Sequence, residues 1–228
     1  MRCARASAST CVWLRPGREA APDLTGEAVR RMILVFAGVQ ADLRDRLQPR
    51  LPFRAEAPLR RRLTCLLLRS RPRLAVGALA SGSDIIVAEA ALAAGVQLKV
   101  LLPFDVPAFE LSSIRAHGGE WVARFNALLT ATGPPLAGTL DPADPAVFTR
   151  HNQVLLERAR AWAIGSEPVR ALAIRPASRG LSETTDDFAE RCGPLSIPVW
   201  DIDPLAEQDG GAFPVPLEGC EPSPKDQD

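Results

Sequence analysis

Ser81-Gly82-Ser83-Asp84 sets two hydroxyls, a carboxylate and a residue without a side chain in four consecutive positions, after an apolar run and before a helical pattern. Gly82 lets the backbone approach a ligand or take positive φ. Free amides at a helix start, aided by the helix dipole, favour phosphate, and Ser81 and Ser83 can donate hydroxyl hydrogen bonds to it. Asp84 would repel a phosphate set directly on it, so it either caps the helix or meets ribose hydroxyls. The plainer alternative is a tight turn at Gly82 with Ser83 or Asp84 as the cap. Glu89, five residues further on, is either a pocket acid facing a ribose or a solvated or salt-bridged residue.

A second set of hydroxyls, Thr184 and Thr185, stands in Glu183-Thr184-Thr185-Asp186-Asp187 at the start of a short helical pattern. Beside a helix N-terminus they can bind phosphate oxygens, or the segment is a capped surface helix. Asn152, next to His151, either caps a helix or reaches the same pocket. His117 follows no carboxylate at a telling spacing. GxxxxGK[ST], GxGxxG and GxSxG are all absent, and no cysteine has a suggestive histidine partner, so no catalytic residue is nominated.

These residues need a frame. Apolar runs at 33–38, 73–79, 97–102, 169–174 and 197–203 read as buried strands, with a short further strand within 135–138. Helical patterns over 58–70, 83–94, 118–131, 148–163 and 183–192 separate them, and Pro58 stands where a first-turn proline belongs. Residues 103–117 read as a proline-containing link. Alternating strands and helices predict an α/β fold, a single Rossmann-like doubly wound, mainly parallel sheet with helices on both faces. In such sheets ligands bind at the carboxyl ends of strands, which is where Gly38, the 81–84 loop and the 184–185 loop fall. The expected organisation is a disordered extension over 1–31, the Rossmann-like domain over 32–204 and a disordered tail over 205–228. Met32, directly before the first strand, is an alternative start to Met1.

The chain has 228 residues, with 27 basic and 27 acidic side chains giving a formal net charge of zero. That balance predicts no nucleic-acid partner and no membrane-seeking face. No apolar run is long enough for a transmembrane helix. Cys3, Cys11, Cys65, Cys192 and Cys220 are scattered, without a CxxC pair, which argues against a metal site or a disulfide framework. Reduced thiols in a cytoplasm are the simplest reading.

The segments ALASGSDIIVAEAALAAGVQLKVLLPFDVPAFELSSI, HNQVLLERARAWA and ETTDDFAERCGPLSIPVWDID occur in the order seen in a bacterial SLOG-like family, which this chain resembles over about residues 33–203. The family belongs to the Rossmann-like SLOG superfamily, with LOG-type phosphoribohydrolases and Smf-type DNA-processing proteins. The most specific part is GSDxxxAExAL followed by LPF, residues 82–104. The resemblance implies a nucleotide or nucleotide derivative at the strand carboxyl ends, held by Gly38, Ser81, Gly82, Ser83, Asp84, Glu89, Thr184 and Thr185. It also implies a separately encoded effector or signalling protein as partner and leaves room for a homodimer. No cofactor is implied beyond the nucleotide itself.

Two departures bear on function. LOG-type enzymes carry PGGxGTxxE in the late loop, where this chain has RPASRGLSETTDDF (175–188) with one glycine. Without paired glycines the backbone cannot cradle a phosphate in the same way. GVQAD (38–42) stands where relatives have a GHR- or GHM-like turn. The expected function is therefore a non-catalytic nucleotide-binding or sensing domain in bacterial signalling. The alternatives are a LOG-like nucleoside-monophosphate phosphoribohydrolase and a degenerate scaffold acting through protein contacts.

Overall fold

The computed structural model describes residues 32–178 and 180–206. The extension expected over 1–31, and all of the expected tail except Leu205 and Ala206, lie outside the described residues. Six strands form one sheet: β1 (Ile33–Gly38), β2 (Leu74–Gly77), β3 (Gln97–Leu102), β4 (Leu136–Ala137), β5 (Val169–Ile174) and β6 (Val199–Ile202). Their order is β4-β3-β2-β1-β5-β6, and each neighbouring pair is parallel. The Rossmann-like α/β sheet expected from the sequence is what the chain forms.

Parallel strands need crossovers, and six helices supply them: α1 (Phe53–Ser70), α2 (Ser83–Ala93), α3 (Val106–Ser113), α4 (Gly119–Thr132), α5 (Val147–Ala161) and α6 (Glu183–Cys192). Strand residues alternate between two cores, as side chains on a pleat must. Leu34, Phe36, Val100, Leu172 and Ile174 pack with α1, α2 and α4, whereas Ile33, Val35, Leu101, Ala171 and Ala173 pack with α5 and α6. Burial on both faces explains why the strands read as continuous apolar runs.

Two elements differ from expectation. Helix α1 begins at Phe53, and Pro58 lies inside it. The buried stripe starts at Ala55 and continues through Leu59, Leu63 and Leu66, so core packing carries the helix across a residue that lacks a donor. The link over 103–117 contains helix α3. Asp105 caps it by accepting from the Ala108 amide at 2.9 Å, and Phe109 buries against Phe104 and Phe125.

Helix α2 is buried nearly all round, with Ile85, Ile86, Val87 and Ala88 inaccessible. It lies between the sheet and helices α1 and α4, so small and aliphatic residues occupy every side. Glu89 marks its partly exposed edge. The Arg124 guanidinium meets that carboxylate at 2.7 and 2.8 Å, and Arg60 and Glu56 join the same network. Three helices are thereby tied at one point.

No described helix is long and apolar enough to cross a membrane. Cys192 is a free thiol whose burial pushes its pKa up to about 11. Cys65 is disulfide-bonded, which corrects the expectation of an all-thiol set.

Candidate functional site

Strand order reverses direction between β1 and β5. Beyond β1 the chain moves to α1 on one face, and beyond β5 to α6 on the other. The diverging loops leave a crevice at the carboxyl ends of the two strands, where open α/β sheets hold their ligands. A cavity of about 460 Å³ opens there.

One wall is the exit of β1. The Val39 amide donates to the Ile174 carbonyl at 2.9 Å, and the Val39 carbonyl accepts from both the amide and the hydroxyl of Ser83, at 3.0 and 2.7 Å. These bonds press the start of α2 against Gly38. A Cβ on Gly38 would sit 2.5 Å from Ser83 Cβ, so glycine is required there by contact. Gly82 takes φ +105°, and a Cβ on it would lie 2.3 Å from the Ala41 nitrogen. Its freedom serves backbone-to-backbone packing.

The 81–84 loop therefore divides. Ser81 and Ser83 are fully buried behind the wall, and Ser81 is held by its amide bond to the Ser113 carbonyl at 3.1 Å. Neither serine lines the cavity, nor does Gly82; of the expected residues in this loop only Asp84 does. Asp84 is 6% exposed, and its Oδ1 is buried without a hydrogen-bond partner. Burial pushes its carboxyl up to about 8, against the opposing pull of the Ala80 and Gly38 amides. At neutral pH it is mostly protonated and can donate as well as accept.

The opposite wall is the first turn of α6. Ser182 is its N-cap residue but supplies no side-chain capping bond, and Gly180, Thr184 and Thr185 border the cavity. The turn is fixed from outside. The Arg175 guanidinium grips Asp186 at 2.7 Å, and the Gly180 amide donates to the same carboxylate at 3.2 Å. From α5, Asn152 Nδ2 donates to the Thr184 carbonyl and to Asp187.

His151, one position earlier on α5, also lines the cavity and is 4% exposed. Its Nε2 lies 3.1 Å from the Leu101 carbonyl. A carbonyl only accepts, so Nε2 carries the proton and Nδ1 is the acceptor of the neutral ring. Burial pulls its pKa down to about 4 despite that bond.

The structure thus brings Gly38, Asp84, Thr184 and Thr185 to one cavity. It places Glu89 elsewhere, with both oxygens engaged by arginines; burial raises the pKa of this carboxyl, but Arg124 and Arg60 outweigh it and hold it below the ordinary range. Arg50, Phe109 and Phe148 also line the cavity and were not among the residues nominated from sequence to bind a ligand. The Asp105 cap before Val106-Pro107 was the signal that could have located Phe109. Among the described residues no group of histidine, cysteine or acidic side chains could hold a metal ion.

No family model matches the chain, and no curated protein matches it. Among solved structures it is similar to DNA processing protein A (DprA) from Streptococcus pneumoniae, at 14% identity and a TM-score of 0.40, over 77% of this chain and 60% of that one. The match thus spans 60% of the length of that neighbour, less than two thirds. Beside a DNA processing protein, the expectation that excluded nucleic acid as a partner is withdrawn. Its weakness is physical: a summed charge describes no single face, and Arg44, Arg46, Arg50 and Arg54 fall within one segment after β1.

Proposed function

We propose that the chain is a SLOG-like domain that binds a nucleotide or nucleotide derivative without turning it over, and that it serves bacterial signalling through a separately encoded partner. One observation carries the reading: a 6%-exposed carboxyl with an unpartnered oxygen, Asp84, lines the crevice between β1 and β5 together with the uncapped first turn of α6. A buried polar atom without a partner is costly, and a ligand hydroxyl or ring nitrogen would satisfy it. The cavity falls within the range of about 300–1,000 Å³ usual for small-molecule sites. Phe109 and Phe148 add apolar wall, suited to a base or a sugar face.

Calorimetry and thermal melting with AMP, ATP and ADP-ribose test this reading. Ligand at a hundred times its dissociation constant is expected to add about 2.7 kcal/mol of stability. No stabilisation of the folded protein by any of the three would overturn the reading.

A second reading, an N-glycoside hydrolase, is favoured by Asp84 alone, since a carboxyl held near 8 is suited to general acid catalysis. Release of free adenine from AMP, lost in Asp84→Asn, would establish it. Glu89→Ala is not expected to matter, because Glu89 does not line the cavity.

A further inference from the structure

The segment between β1 and α1 sends one cation into the crevice. Arg50 lines the cavity, and its Nη1 donates to the Leu181 carbonyl at a long 3.3 Å. Its Nε is buried with no partner. The Asp42 carboxylate lies close enough to favour the charged guanidinium, but its oxygens accept from the backbone amides of Arg50 at 3.1 and 2.9 Å and of Leu51 at 3.1 Å. Among the described residues, no carboxylate pairs with the Arg50 side chain. Burial and the neighbouring Arg46 lower its pKa, with Asp42 opposing. A half-buried guanidinium with an unpartnered Nε, and a neutral carbonyl as the partner of its Nη1, has donors to offer an anion.

Leu181 stands two residues before the first turn of α6, so Arg50 reaches the start of the helix whose N-cap residue supplies no side-chain cap and whose Thr184 lines the same cavity. Backbone amides, a hydroxyl and a planar guanidinium are the donors that phosphate oxygens take. Asp84 Oδ1, buried without a hydrogen-bond partner in the same cavity, supplies an independent sign that the cavity is built for a ligand.

We infer that Arg50 and the first turn of α6 form a phosphomonoester subsite, in which a phosphate replaces the Leu181 carbonyl on the guanidinium. The inference rests on the nucleotide reading for the rest of the ligand, but the subsite itself recognises the phosphate. Arg50 then sets specificity: a nucleoside monophosphate binds, and the uncharged nucleoside binds far more weakly.

The test uses the full chain with AMP, adenosine and inorganic phosphate in calorimetry, on wild type, Arg50→Ala and Arg50→Lys. AMP is expected to bind wild type at least about tenfold more tightly than adenosine, and Arg50→Ala is expected to remove at least about tenfold for AMP while leaving adenosine unchanged. Arg50→Lys should fall between, because it keeps charge and loses the fork. It also covers the case in which the alanine variant does not melt cooperatively. Equal wild-type affinity for AMP and adenosine overturns the subsite, as does AMP binding that both variants leave intact. If neither adenine compound binds but inorganic phosphate binds wild type and not Arg50→Ala, the nucleotide reading fails and the subsite stands. If neither AMP nor phosphate binds, the subsite fails.

Discussion

Asn152 Nδ2 lies 2.8 Å from the carbonyl oxygen of Thr184 and 2.9 Å from Asp187 Oδ2, so a single buried amide on α5 holds the first turn of α6 in place. The two helices belong to the same face of the sheet, and the turn they fix is one wall of the crevice. Asn152→Ala is expected to lower unfolding stability by about 1–3 kcal/mol, the usual cost of stranding buried polar partners. Urea denaturation measures this. A loss below a few tenths would show that the amide does not hold α6.

Gly38 and Ser83 make a second contact that a mutation can probe. The Cβ introduced by Gly38→Ala would meet Ser83 Cβ at 2.5 Å and Ile174 Cβ at 3.0 Å. Overpacking of this kind costs about 1–3 kcal/mol. Removing the facing carbon in Gly38→Ala/Ser83→Gly should recover part of that loss relative to the sum of the single changes. Strict additivity in a double-mutant cycle would sink the contact argument.

The two buried titratable groups of the cavity act on stability in opposite directions. Asp84 is raised from about 3.8 to about 8 in the folded state, so its contribution is fully present below pH 4 and is lost as pH rises through 8. His151 is lowered from about 6.5 to about 4, so its contribution is present above pH 6.5 and is lost as pH falls toward 4. Between about pH 4 and 6.5 the two proton differences offset each other, and between 6.5 and 8 only Asp84 is left. Thermal melts of wild type and Asp84→Asn should therefore diverge across pH 6.5 to 8, with the variant relatively better as pH rises. Parallel curves over that interval would show that Asp84 is ionised in the folded protein.

Glu89 offers a separation of stability from binding. Glu89→Gln breaks the carboxylate that Arg124 grips with two bonds and that Arg60 shares, and leaves two partly buried cations less well paired. We expect a loss of about 1–3 kcal/mol, discounted from a fully buried pair because Arg60 is substantially exposed. AMP affinity should stay within about twofold, since the residue lies outside the cavity wall. An affinity change beyond tenfold would return Glu89 to the site.

How far the molecule can be read from its residues varies by element. Strand β1 is covered on both faces and apolar throughout, and β3 and β5 remain legible because their polar residues, Gln97, Lys99 and Arg170, fall in the less buried first half of each run. The start of α1 was obscured because Pro58 resembles a first-turn residue, while the packing that overrides it begins at Ala55. Helix α3 was hidden by its length and by the two prolines around Asp105. The position of Asp84, Thr184 and Thr185 at the cavity was legible because strand ends and helix starts are visible in sequence. That Ser81 and Ser83 sit buried behind the wall was not legible, because spacing locates a turn but does not tell which side of it faces the cavity. Arg50 carried no local signal, since its position depends on how an irregular segment folds back onto Leu181, a residue more than a hundred positions away.

The crevice borders run from Gly38 to Thr185, with Asp84 and Asn152 between them. No contiguous fragment shorter than nearly the whole sheet contains every wall, because β1 at the centre pairs with β5 from late in the chain. Occupancy of this crevice would thus act as a receipt for complete folding. A nascent or proteolytically clipped chain that had built only β1, β2 and β3 would lack the β5 and α6 sides of the crevice.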